Sequence, residues 1–485
     1  MIQKIKSLLL ENRTLKQTVF KNAFWLSFGN IVPRLIHAIL IIYIARILGT
    51  AGYGVFSYVL SFSVFLTTFS DLGLASLLTR ELVKKPEEIS AYISTTFIIK
   101  LVIVAIMALF AIFAGPALTN IGAAKTLMPI VALLLIFDSL RSISNSITRS
   151  QNKMELEAMF NIITEIFVTG FGLAIVFLKP TASALIFGYA AASGVGFAVT
   201  VIVLRNYYKD ILKNFRLSLV KPILSASWPF AIMGVFGTFM INIDILIIGW
   251  FRTASELGLY SAGQRIIQLL YIIPGLIGSS AFPIVTWLVR NDAIERIKDM
   301  VEKLIAGALA LAIPISVGGI ILTLPLITML FGADYQGGAL ALKLLLITNL
   351  FVFPGTIIGN TIFAYNKQKI FLASTAVGVT SNVIFDFVLI PTYGIAGSAV
   401  ATIIAQIIAQ ILNLHGLKKI INFKIVRNTP KIIIAAIAMG IITFSLNILN
   451  INVIANILIS GAIYFLILYL LKEPTILRLR PSNLK

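Results

Sequence analysis

The sequence contains no cysteine and only two histidines, His37 and His415. The first absence excludes disulfides and thiolate metal ligands. The second makes a histidine-based metal site improbable, so none is expected. Charge is scarce as well. Asp, Glu, Lys and Arg make up 12% of 485 residues, where a soluble domain carries roughly 25%. Charges this sparse cannot cover a water-facing surface. With 59% hydrophobic residues and a mean hydropathy of +0.99, the main solvent has to be lipid. The chain also lacks a GxxxxGK[ST] phosphate loop, which excludes transport powered by its own ATP hydrolysis. No hydrophilic stretch is long enough for a nucleotide-sugar enzyme or a large outer loop.

What is present is a series of apolar runs, each about 20 residues long and sufficient to cross a hydrocarbon core. Fourteen spans are expected: 22–45, 53–75, 89–114, 126–148, 156–178, 182–204, 222–249, 256–279, 302–330, 338–364, 370–390, 395–416, 430–449 and 452–471. The ninth contains Pro314 and Pro325 and is expected to kink or break. The net charge of +20 would suggest nucleic acid in a soluble protein. Here it follows the positive-inside rule, with no nucleic-acid partner. Thirty of the 39 Lys and Arg fall in the loops and span ends of one side, and only Arg46, Lys125, Lys179 and Arg252 fall in the opposite loops. Both termini are therefore expected in the cytoplasm. The opening MIQKIKSLLLENRTLKQ is basic and amphipathic with no small-residue cleavage site, which predicts that residues 1–21 lie along the cytoplasmic face.

An internal repeat organises the spans. Gly54-Val-Phe-Ser57 recurs as Gly258-Leu-Tyr-Ser261 at an offset of 204, and Asn152-Lys153 recurs as Asn366-Lys367 at an offset of 214. The expected organisation is an N-lobe of six helices over 22–210, a C-lobe of six over 215–420, two further helices over 425–475, and a cytoplasmic tail over 476–485. Six helices per lobe give both lobes the same orientation. Such parallel repeats enclose a cleft and rock around it to give alternating access.

Several stretches carry a family resemblance: ARILGTAGYGVFSYVLSF (45–62), FSDLGLASLLTREL (69–82), INIDILIIGWF (241–251), ELGLYSAGQRI (256–266) and LIPTYGIAGSAVAT (389–402). They resemble the polysaccharide-transporter branch of the multidrug/oligosaccharidyl-lipid/polysaccharide exporter superfamily, the O-antigen and teichoic-acid type flippases. The resemblance implies an all-α protein of the cytoplasmic membrane, not an enzyme. It would carry polyprenyl-pyrophosphate-linked oligosaccharides through a cationic cavity, beside membrane lipids and possible glycan-assembly proteins. A drug or metabolite exporter of the same superfamily, and a membrane glycan-assembly enzyme or scaffold, stay open as alternatives.

Polar residues deep in the spans are the candidates for chemistry, because a charge at bilayer depth costs roughly 2.5–3.5 kcal/mol on insertion scales. Ser27, Asn30, Arg34 and His37 share one face of the first span, and Arg34 lies about 18 Å into it at 1.5 Å per residue. Asp138, Arg141, Asn145 and Thr148 form a second stripe. Tyr260, Gln264, Gln268 and Tyr271 form a third, with Arg265 at its edge. Arg34, Arg141 and Arg265 are candidate ligands of a pyrophosphate, since a guanidinium binds phosphate oxygens bidentately and keeps its charge when desolvated. Asn30, His37, Asn145, Gln264, Gln268 and Lys100 join them as substrate-binding candidates. The alternatives are structural: Arg141 neutralising Asp138 one turn away, and Lys100 pairing with Glu165 or snorkelling. Glu165, Asp244 and Asp386, with Asn242 and Asn382, offer hard oxygens suited to Na⁺ or a proton, so ion coupling is an open expectation with no other cofactor. Arg46 and Arg252 close the outer ends of equivalent spans, where they either guide a glycan or anchor the interface.

Overall fold

A computed structural model describes residues 15–84, 86–424 and 429–473. The expected amphipathic segment before residue 15 and the tail over 476–485 lie outside the described residues. The labelled helices are α1 (Leu15–Asp71), α2 (Leu74–Lys84), α3 (Ile89–Phe113), α4 (Met128–Ser150), α5 (Met154–Leu178), α6 (Ala182–Val203), α7 (Leu217–Phe251) and α8 (Ala254–Leu270). They continue as α9 (Ile272–Arg290), α10 (Ile294–Ile321), α11 (Thr323–Phe331), α12 (Ala339–Ile347), α13 (Asn349–Ala364), α14 (Gln368–Lys418), α15 (Thr429–Ile448) and α16 (Val453–Leu470). One-turn helices are left unlabelled. Among the described residues there is no β-strand, as lipid demands of a chain that satisfies its backbone within each segment.

Twelve helical stretches are long and apolar enough to cross a membrane. Two of them, α1 and α14, are hairpins. His37 and Phe56 would sit about 28 Å apart on one straight helix, yet their rings lie 6.0 and 5.1 Å from that of Tyr189. The chain reverses at Gly49, whose φ of 67° and ψ of 179° suit only a residue without a Cβ. In α14 the positions of Gly378 and Ala409 meet, as do those of Gly416 and Ile370. The reversal there falls at Gly394 (φ 60°, ψ −143°). The expected break in the ninth span is present: α10 contains Pro314, stops at Leu322, and α11 restarts with Pro325 in its first turn.

The chain forms two compact units, Met1–Gly258 and Leu259–Lys485. In the first, the amphipathic α2 inserts Leu74, Leu77, Leu78 and Leu82 among Ile93, Ile143 and Phe160 of its neighbours. The helix α7, which the repeat assigns to the second half, packs on α1, α2 and α3 within the first unit. In the second, α10 and α13 pair through Val301, Ile305, Phe353 and Ile357. The hairpin of α15 and α16 closes on α10 through Ala310, Ala435, Met439 and Tyr464. Repeated sequence gives repeated geometry. Asn152 and Asn366 both adopt a left-handed φ of 56°, and the next amide bonds back to Thr148 O and Ile362 O at 3.0 and 3.1 Å, closing each helix with the same C-cap.

Candidate functional site

The polar stripes of α1, α4, α5 and α6 gather inside the first unit. Arg141 is its most connected group. Its Nη2 donates to Asp138 Oδ1 at 3.1 Å, and Nη1 donates to Asn161 Oδ1 and Thr164 Oγ1 at 3.3 and 3.4 Å. Asp138 Oδ1 also accepts from Ser193 Oγ at 2.5 Å. The close approach of α5 and α6 requires Gly196, because a Cβ there would stand 2.3 Å from Thr164 Oγ1. One turn along α4, the Oδ1 of Asn145 is buried with no partner among the described residues. Arg141 is thus held by Asp138 and its neighbours, the structural arrangement weighed from the sequence.

His37 Nδ1 lies 3.0 Å from Glu165 Oε1, with 24% and 15% of the side chains exposed, and its ring meets Tyr189 edge-on. The carboxylate expected to serve Lys100 therefore serves His37. Lys100 is instead fully buried and donates to Asp71 Oδ1 at 2.5 Å, at the junction of α1 and α2. That pairing joins residues 29 apart in sequence on different helices, so no spacing rule could reveal it. Asn30 and Arg34 stand on the exposed face of α1, while Gly29 on the opposite face presses against Ala158 of α5. Asn30 Nδ2 bonds back to Leu26 O at 2.6 Å. Arg34 makes no ion pair or hydrogen bond among the described residues.

The third stripe lies in the second unit and is largely internal. Tyr260 is fully buried and Gln264 nearly so, and the Tyr271 hydroxyl meets Thr348 Oγ1 at 2.6 Å. Arg265 is half-buried and donates to Gln268 Oε1 at 3.0 Å. Of the candidate ion groups, Asp244 is buried in the first unit, with Asn242 bonded to Thr238 O at 3.3 Å. Asn382 and Asp386 are buried one turn apart on α14, and Asn382 Nδ2 has no hydrogen-bond partner among the described residues.

Residues 19–288, more than half of the chain, match the family model described as polysaccharide biosynthesis protein. The chain belongs to that family. Among its relatives is the "Probable low-salt glycan biosynthesis flippase Agl15" of Haloferax volcanii, 24% identical over 79% of this chain and 80% of that one. The capsular polysaccharide biosynthesis protein CapF of Staphylococcus aureus is also 24% identical, covering 82% of this chain and 99% of its own. In fold, the chain is similar to the lipid II flippase MurJ in an inward closed conformation, with a TM-score of 0.77 at 20% identity, over 93% of this chain and 99% of that one. This member of the polysaccharide biosynthesis family is a multi-pass protein of the cell membrane.

Proposed function

We propose that this chain is a transporter, not an enzyme, that moves polyprenyl-pyrophosphate-linked oligosaccharides across the cytoplasmic membrane by alternating access. The family, the names its relatives carry and the fold support the reading. The observation that carries it is Arg34. A guanidinium about 18 Å into a span is costly in hydrocarbon, and the other deep cations of this unit answer that cost with a carboxylate: Asp71 for Lys100, Asp138 for Arg141. Arg34 has no such partner among the described residues and stands on an exposed helix face. An anionic ligand completes it. The pyrophosphate binds Arg34 while the prenyl tail stays in lipid, and the half-buried His37–Glu165 pair lies one turn along the same face.

Ion coupling belongs to the same proposal. Asp386 with Asn382, Asp244, and Glu165 offer oxygens that would take Na⁺ or a proton, and glycan-assembly proteins would deliver the substrate.

The test is flipping of a polyprenyl-pyrophosphate oligosaccharide in proteoliposomes. Losing one bidentate charge-assisted contact costs roughly 1.5–3 kcal/mol, so Arg34→Ala should slow flipping roughly tenfold to a hundredfold. Its abundance and melting in the membrane should be unchanged, since the side chain is exposed and makes no ion pair or hydrogen bond among the described residues. Wild-type flipping by Arg34→Ala would remove the residue from the substrate path.

A further inference from the structure

The first unit contains a pocket remote from the stripe that carries Arg34. It has a volume of about 840 Å³, within the range of small-molecule sites. Its walls come from the turn after Gly49, the 120–123 segment, the start of α6 and the junction of α7 and α8. The framework is fixed by hydrogen bonds. Asn120 N and Thr119 Oγ1 donate to Gly249 O at 3.1 and 3.2 Å, and Tyr58 donates its hydroxyl to Leu118 O at 2.9 Å. At the start of α8, Thr253 and Glu256 form a reciprocal capping box, each amide reaching the other side chain at 3.3 Å. Such a pocket needs little ordering when a ligand enters.

Its chemistry is selective. Six of its fifteen lining residues are alanine or glycine, which leaves open floor. Trp250 and Phe251 line it while 41% and 37% exposed, offering apolar faces. Asn120, whose Nδ2 already donates to the Trp250 carbonyl, offers its Oδ1 as an acceptor, and the Ser183 hydroxyl supplies both a donor and an acceptor. Arg252 lies 3.9 Å from Glu256, so the positive charge is matched by a carboxylate. A free phosphate or pyrophosphate finds no net attraction in such a pair. A neutral ligand with hydroxyls on its edges and C–H groups on its faces fits each part: aromatic rings for the faces, amide, hydroxyl and ion pair for the edges.

We propose that this pocket binds the sugar chain of the transported lipid, a carbohydrate subsite separate from the group that holds the phosphate, and that it contributes to glycan selectivity. The inference rests on the flippase reading above. The experiment uses the full chain in lipid nanodiscs with Trp25→Phe, Trp228→Phe and Trp287→Phe, which leaves Trp250 as the single tryptophan. The probes are the free oligosaccharide released by mild acid from the producing cells' lipid-linked oligosaccharides, and farnesyl pyrophosphate as a sugar-free anion. The oligosaccharide should shift Trp250 emission saturably, with affinity weakened at least tenfold in Asn120→Ala and Arg252→Ala, and farnesyl pyrophosphate should not. No response to the oligosaccharide, or an equal response to farnesyl pyrophosphate, overturns the subsite. The flipping assay keeps the two readings apart. If the wild-type chain flips its substrate but the free glycan does not bind, the pocket fails and the function stands. If nothing is flipped, the function itself fails.

Discussion

Lys100 places an ammonium at a fully buried position, and among the described residues its countercharge is Asp71 at 2.5 Å. Removing one member of such a pair is worse than removing both, because the survivor keeps its desolvation cost without its attraction. Asp71→Asn should therefore destabilise the protein by roughly 3–5 kcal/mol, toward the lower end because Asp71 is 26% exposed. The double variant Lys100→Met/Asp71→Asn should recover most of the loss. Thermal melting in detergent of the wild type, Asp71→Asn, Lys100→Met and the double variant measures the coupling, and strictly additive losses would show that the pair is not one unit. The sequence reveals that Lys100 needs a partner, since no polar stripe surrounds it. It does not reveal which. Depth within the spans points to Glu165, and the actual partner Asp71, at the end of α1, is set by how α1 and α3 cross. Arg141 was more legible, because Asp138 sits one turn away on the same helix and local spacing alone brings them together.

At the scale of elements, lipid makes the spans easy to read and the turns hard. Each apolar run shows as a helix, and the helix breaks at Leu322 and Tyr271 fall near prolines or polar stripes. What periodicity cannot show is contact between elements. The repeat equates Gly54 with Gly258, and the structure brings these two residues together. A Cβ on Gly54 would lie 1.8 Å from Ala254 O, and one on Gly258 would lie 1.9 Å from Thr50 O. The two clashes are the same contact seen from either repeat, since the offset of 204 maps Thr50 onto Ala254. Backbones in direct contact leave no passage at this point, so a cycle of alternating access has to part them. Thr50 Oγ1 and Ser255 Oγ stand 2.7 Å apart across the crossing, a separation that a disulfide spans with little rearrangement. The chain has no native cysteine to compete. Thr50→Cys/Ser255→Cys should lose flipping on oxidation and regain it on reduction, while each single variant responds to neither. Undiminished flipping by the cross-linked protein would exclude this crossing as a moving part.

For the whole molecule, the charge pattern makes a claim that helix geometry alone does not. Counting the hairpins of α1 and α14 as two crossings each, the proposed topology has fourteen, with both ends in the cytoplasm. The physical reason is the distribution of Lys and Arg, thirty on one side against four in the opposite loops, because basic loops resist translocation. A wrong crossing count would scramble every loop after the error and erase that asymmetry, so the late loops are the most sensitive test. The absence of native cysteine allows single thiols to be placed on exposed turns without background. Lys179→Cys and Leu449→Cys, between α5 and α6 and between α15 and α16, should react with a membrane-impermeant maleimide in intact cells. Asn291→Cys and Lys367→Cys, between α9 and α10 and between α13 and α14, should react only after permeabilisation. Agreement at Lys179 and Asn291 with reversal at Leu449 would place the error in the second unit, where either α14 or the broken pair of α10 and α11 would then cross a different number of times. Reversal at all four sites would invert the protein, put the Trp250 pocket on the cytoplasmic face, and turn it from a site that receives the glycan after translocation into one that selects it before.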